Sequence, residues 1–227
     1  MINNKEEKES KYKVEYLGEK YSQDFITYKV IILGLYGVGK TSIIIRLMKK
    51  GFDKDNSSTI SVDIKNFQVK VNDKIIQIQI WDSCGNDEFA ENTPNLFKNA
   101  SIAILVYAIN DKKSFEDLEK WYNILKEYCY DHKIFLIGNK NDLKEERIIE
   151  SEKGETFKNN YDNIKMFFET SALNGENIDK LLENIAISIY EKNENDEKNS
   201  EKAAKELKSI QLNKKNHRKR RKKKCCF

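Results

Sequence analysis

No stretch of this chain approaches the roughly 18 consecutive apolar residues from which a membrane-spanning helix is read. The first residues, MINNKEEKESKYK, are too charged for a signal peptide. Any contact with a membrane is therefore expected from the cytosolic face, through an anchor. Cysteine is scarce as well: there are four in 227 residues, isolated at Cys84 and Cys129 and adjacent at Cys225 and Cys226. That pattern excludes a disulfide framework and a CxxC metal site, and it implies a reducing compartment. Acidic residues are missing from Lys214 to Lys224, where nine Lys or Arg fall, so the net charge of +4 leaves the chain upstream mildly acidic. Read alone, the terminal block HRKRRKKKCCF fits a nucleic-acid arm, a nuclear import signal or a membrane-landing segment. The domain that carries it decides between them.

With 39% hydrophobic residues the chain can build one ordinary domain with tails, and a second core is not expected. Residues 1–25 read as a polar N-terminal extension, 26–191 as the domain, and 192–227 as a flexible basic tail in which EKAAKELKSIQL has transient helical character. Inside the domain, strand-like and helix-like segments alternate. TYKVIIL, SIAILVYAI, KIFLIGN and IKMFFETS read as buried strands, and NFQVKVN and KIIQIQIW alternate with period two around an Asn-Asp turn, as a hairpin does. Helices are expected from Lys40 and near Phe115–Tyr130, Ser151–Asn159 and Ile178–Tyr190. The fold class is a three-layer α/β domain with a mostly parallel, six-stranded sheet and one antiparallel hairpin strand. Ligands in such sheets bind beyond the carboxyl ends of the strands.

The first strand runs into GLYGVGKT, Gly34 to Thr41, which fits G-x-x-x-x-G-K-[ST] between a strand and a helix. Gly37 and Gly39 let the backbone curl so that successive N–H groups face phosphate oxygens. Lys40 reaches the β and γ phosphates, and Thr41 offers a hydroxyl to Mg²⁺. The strand after the hairpin ends in WDSCG: Asp82 is suited to the Mg²⁺ shell, and Gly85 can bring its N–H to a γ-phosphate because no side chain intervenes. In GNKND, Asn139 and Asp142 have the spacing to approach a planar base, and a carboxylate there accepts from the adjacent N1–H and amine that guanine presents and adenine does not. Misreading the base would leave a buried charge unpaired. ETSAL places the Ala172 N–H where it could meet the base oxygen.

These four motifs, in this order, resemble the guanine-nucleotide-binding domain of the Ras superfamily. STISVDI, WDSCGNDEF and the paired terminal cysteines resemble its Rab branch, over about Thr27 to Tyr190. The resemblance implies a P-loop G domain that binds GTP or GDP with Mg²⁺ and hydrolyses GTP. It adds Val38, Ser42, Lys140, Ser171 and Leu173 to the nucleotide contacts, Phe52 as a residue against the base, and Thr59 as the switch residue that ligates Mg²⁺. Asn86 takes the position that orients the attacking water. A terminal Cys-Cys-x implies geranylgeranyl groups on Cys225 and Cys226, whereas Lys-Cys-Cys-Phe is not a C-a-a-X box. Two lipids and a polybasic segment hold a protein firmly on an anionic leaflet. The implied partners are an exchange factor, an activating protein, a prenyl-binding escort, a dissociation inhibitor and trafficking effectors at an intracellular membrane, with no nucleic acid.

The chain departs from the family pattern at several positions. Tyr36 stands where a small P-loop residue is usual, Asn86 replaces glutamine, Cys84 replaces alanine, Ser61 replaces glycine, and Leu96 and Phe97 replace a tyrosine pair. The binding residues are intact, while the hydrolytic and partner-facing ones are altered. A slowly hydrolysing switch is expected, with a GTP-retaining binding module as the alternative.

Overall fold

The computed structural model describes residues 11–52, 59, 62–85, 96–128 and 133–224. Strands β1 (Val14–Gly18), β2 (Thr27–Leu33), β3 (Asp63–Val71), β4 (Lys74–Asp82), β5 (Ala100–Ala108), β6 (Lys133–Asn139) and β7 (Ile164–Glu169) form one sheet in the order β1-β3-β4-β2-β5-β6-β7. The pairs β1–β3 and β3–β4 are antiparallel, and the four others are parallel. The helices are α1 (Lys40–Leu47), α2 (Lys112–Glu116), α3 (Leu118–Tyr128), α4 (Ser151–Asn159) and α5 (Ile178–Lys224).

The central strands are apolar on both faces because helices cover both sides of a parallel sheet. Val30 to Leu33 of β2 and Ala103 to Ala108 of β5 are wholly buried. One side of the core is built around Trp121 and Leu125 of α3 packed on Leu105 and Tyr107 of β5 and Leu136 of β6, with Leu96 and Phe97 in the same cluster. Those last two stand where the family resemblance put an altered partner-facing pair; here they are interior residues.

Three features differ from the sequence reading. The expected helix near Phe115–Tyr130 is two helices, α2 and α3, with Asp117 between them. Helix α5 continues to Lys224 instead of ending near Tyr190. No glycine or proline occurs after Gly175, so nothing in the chain breaks the helix there. Spatially the chain divides into two compact units, Met1–Ile187 and Ser188–Phe227.

The third difference is the seventh strand, drawn from the N-terminal extension. β1 lies along the outer edge of β3 with Val14 opposite Val71 and Tyr16 opposite Val69. The Tyr16 ring packs on Phe67 at 5.7 Å between centroids. The hairpin turn helps to hold it: Asn72, at φ 53, donates its N–H to the Lys13 carbonyl (2.8 Å) and accepts from the Lys13 N–H through Oδ1 (3.0 Å). Further along, Gln77 Oε1 accepts from the Ser22 N–H at 2.8 Å, and Gln77 Nε2 donates to the Ser22 carbonyl at 3.1 Å. An open strand edge is thereby covered. Deleting residues 1–22 should remove about 2 kcal/mol of apolar burial and pairing. In a protein of this size that lowers the melting temperature by about 4–8 °C. Thermal unfolding of the GDP-loaded protein measures it, and an unchanged midpoint would mean that the strand contributes nothing.

Candidate functional site

The four motifs converge at the carboxyl ends of β2, β4, β6 and β7. The loop after β2 curls into α1, whose N-cap is Gly39 in a left-handed conformation (φ 94). A Cβ on Gly39 would lie 2.4 Å from Asn139 Nδ2, so only glycine lets the P-loop and the NKND loop come this close. Lys40 follows, 5% exposed, with Nζ donating to the Gly34 and Leu35 carbonyls at 2.9 and 3.1 Å. Burial pushes its ammonium down to about 8, against the attraction of the Asp82 carboxylate. A buried cation wrapped by its own loop suits a multiply charged phosphate, whose charge would offset that desolvation.

Thr41 and Thr59 are 18 residues apart in sequence, yet their hydroxyl oxygens lie 2.8 Å from each other. Both hydroxyls donate to Asp82 Oδ2, at 2.5 Å from Thr41 and 3.2 Å from Thr59. Burial raises the Asp82 carboxyl above the usual range, while the Thr41 hydrogen bond and Lys40 oppose the shift. The second carboxylate oxygen, Oδ1, is buried with no hydrogen-bond partner among the described residues. An orphaned carboxylate oxygen beside two hydroxyls is an all-oxygen donor set, which fits a hard divalent cation. Thr41, Thr59 and Asp82 are the residues that would hold Mg²⁺, and the ion would neutralise charge between the β and γ phosphates.

Gly85, three residues beyond Asp82, sits at φ 72 against the P-loop. A Cβ there would lie 2.5 Å from Lys40 Nζ, 2.7 Å from the Tyr36 backbone nitrogen and 2.9 Å from the Gly34 carbonyl oxygen. The Tyr36 side chain of the same loop is 61% exposed. Asn86, expected to orient water, lies outside the described residues, as do Ser61, Cys129, Cys225 and Cys226. Phe52, expected against the base, is 37% exposed.

On the base side, Asn139 braces two loops. Its Nδ2 donates to the Val38 carbonyl at 2.8 Å, and its Oδ1 accepts from Thr170 Oγ1 at 3.1 Å and from the Ala172 N–H at 3.3 Å. It therefore ties the P-loop to the loop after β7, and these bonds use one of its two Nδ2 hydrogens, leaving the other for the approach to the base that its spacing suggested. Ala172, expected to meet a base oxygen, gives its N–H to Asn139. Asp142 Oδ1 accepts from Ser171 Oγ. Lys140, beside it, adopts φ 68, a left-handed conformation uncommon outside glycine.

Sequence reasoning missed two supports of this region. Arg46 of α1 donates to the Ala172 carbonyl (2.8 Å) and the Leu173 carbonyl (2.5 Å), tying the loop after β7 to that helix. Arg147 forms a two-pronged pair with Glu169 at 2.7 and 2.8 Å. No motif or spacing marks either arginine; each acts through a partner distant in the chain.

A phosphate loop, an oxygen-lined cation site and a base-side loop pair at the carboxyl end of one sheet define the class, a P-loop nucleotide-binding protein. A sequence model of the Ras family matches residues 29–191. The chain is also 36% identical over 163 residues to Ras-related protein Rab-11B of Dictyostelium discoideum, covering 71% of this chain and 73% of that protein. The chain belongs to the Ras family of small GTPases, in its Rab group, and is an enzyme that hydrolyses GTP.

Proposed function

We propose that this protein is a membrane-anchored Rab-like switch that cycles between GDP and GTP and recruits trafficking effectors while GTP is bound. The observation that carries the reading is the meeting of Thr41, Thr59 and Asp82 over buried Lys40. Thr59 reaches the site from the loop before β3, so a γ-phosphate with its Mg²⁺ would hold that loop, and hydrolysis would release it. Gly85 would donate its N–H to the same phosphate. On the base side Asp142 would read guanine, with the second Nδ2 hydrogen of Asn139 and the Ala172 N–H, held by Asn139 only at 3.3 Å, toward the base, Phe52 and Lys140 against the ring, and Val38, Ser42, Ser171 and Leu173 completing the contacts. Asn86 would orient the attacking water. An exchange factor, an activating protein, a prenyl-binding escort and a dissociation inhibitor would drive the cycle. Tyr36, exposed on the loop whose backbone meets Gly85, favours a second reading, a GTP-locked binding module with little turnover.

Nucleotide choice is tested by Asp142→Asn. An amide in place of the carboxylate should shift preference from guanine to xanthine nucleotides, because the N1–H and C2 group would then face a different donor and acceptor pattern. Competition calorimetry reads the change. ATP binding to the unmodified protein as tightly as GTP would end the guanine reading.

Among the described residues no helix is long and apolar enough to cross a membrane. Attachment is assigned to lipid on Cys225 and Cys226, placing the protein on the cytoplasmic face of an intracellular membrane. Changing both cysteines to serine should move it to the soluble fraction, since prenyl burial contributes about 0.8 kcal/mol per methylene. Neutralising the basic residues from Arg218 to Lys224 should leave it lipidated on the wrong membranes, as each basic residue adds about 1 kcal/mol only at an anionic surface. A double-serine variant that still pelleted with membranes would refute the anchor.

A further inference from the structure

Asn141, the third residue of the Asn139–Asp142 motif, has no role in the sequence reading, yet it is buried and hydrogen-bonded through Oδ1, Nδ2 and its backbone N–H. Its Oδ1 accepts from Arg147 Nη2 at 2.8 Å, its Nδ2 donates to Glu176 Oε1 at 2.9 Å, and its backbone N–H donates to the Thr170 carbonyl at 3.0 Å. Arg147 is fixed in turn by its fork to Glu169 and by the Ile149 carbonyl at 2.9 Å. Both side chains of that pair are mostly buried, at 16% and 12% exposure. Asn177 Nδ2 donates to the Glu169 carbonyl at 2.7 Å, holding the same strand end.

The bonds close into a ring. Asn141 holds the Glu176 carboxylate; the Glu176 carbonyl accepts from the Ser171 N–H at 3.1 Å; Ser171 Oγ donates to Asp142; and Asp142 is the next residue to Asn141. Two loops from different strands are locked in one register, with the Asp142 carboxylate part of the lock. We propose that Asn141, Glu176 and the Arg147–Glu169 pair are positioning residues that aim the Asp142 carboxylate, and that they set both the dwell time of bound GDP and the preference for guanine. The proposal rests on Asp142 as the reader of the base. A carboxylate discriminates only when held where both donors reach it, and an arginine fork holds a neighbour more rigidly than a single charge does.

The test uses the full-length protein loaded with fluorescent GDP, and with inosine diphosphate, which lacks the exocyclic amine. Asn141→Ala should speed GDP release about tenfold, the scale of one lost hydrogen bond to a charged group. It should narrow the preference for GDP over inosine diphosphate by a similar factor. Glu176→Ala, at an exposed turn position, breaks the same ring without opening the core and should act in the same direction by about threefold. A general loosening of the site would speed release of both nucleotides equally and leave their ratio intact. That result, or unchanged GDP release in both variants, would overturn the proposal. If the unmodified protein shows no preference for GDP over inosine diphosphate, the assignment of Asp142 itself fails, and the proposal fails with it.

Discussion

Replacing Tyr36 by serine should raise GTP hydrolysis stimulated by an activating protein about 10³-fold. An arginine supplied by such a partner contributes about 10³ to 10⁵ in rate when it reaches the phosphates. The Tyr36 side chain is 61% exposed, and its backbone nitrogen lies beside Gly85, the residue assigned to the γ-phosphate. A phenol ring carried on that loop would obstruct a guanidinium approaching the γ-phosphate, and a serine would not. The intrinsic rate should respond differently. Asn86 carries the same amide as glutamine on a stem one methylene shorter, about 1.5 Å less reach, so Asn86→Gln is the variant that should speed unassisted turnover. Single-turnover assays with and without the activating domain separate the two effects. If Tyr36→Ser leaves the stimulated rate where it was, the ring does not block the finger.

Gly85→Ala should slow hydrolysis about 10²-fold while GDP affinity changes little. At φ 72 an alanine is already strained, and its Cβ would fall 2.7 and 2.9 Å from two backbone atoms of the P-loop, the Tyr36 nitrogen and the Gly34 oxygen. Backbone cannot swing aside as the end of the Lys40 side chain can, so the whole strand end must retreat from the loop. A retreat of about 1 Å at a reacting centre costs about 10²-fold. Base contacts lie elsewhere, and a retreat of the segment that carries Gly85 leaves Lys40 and the P-loop in place for the β-phosphate, which is why GDP should stay bound. Hydrolysis within twofold of the unmodified rate would show that the chain accommodates the methyl without moving Gly85 away.

Both predictions start from residues that could be read in the sequence, and the reason is local chemistry. GLYGVGKT, WDSCG, NKND and TSAL each sit at a strand end, and each spells its task in contiguous residues. What was illegible depends on distance along the chain. Arg46 meets Ala172 and Arg147 meets Glu169 only because strands and helices bring them together. Spacing shows that Asn139 has reach toward a base, and it cannot show that the same amide also braces Val38, Thr170 and Ala172. Strand β1 was hidden for a further reason. Tyr12, Val14 and Tyr16 make a period-two alternation of three apolar positions, too short a pattern to stand out from a charged extension until Phe67 and Val69 are beside it.

That strand also imposes an order on folding. Val14 leaves the ribosome well before its partner Val71, and β3, the strand it joins, is paired along its other edge with β4. At about 5–20 residues per second of synthesis, β1 is made several seconds ahead of β4. Because contacts of long sequence separation form after the loop between them has closed, the first segment of the sheet to be made has to wait for the hairpin before it can take its place. A chaperone acting on this chain would meet Val14, Tyr16 and Leu17 in that interval.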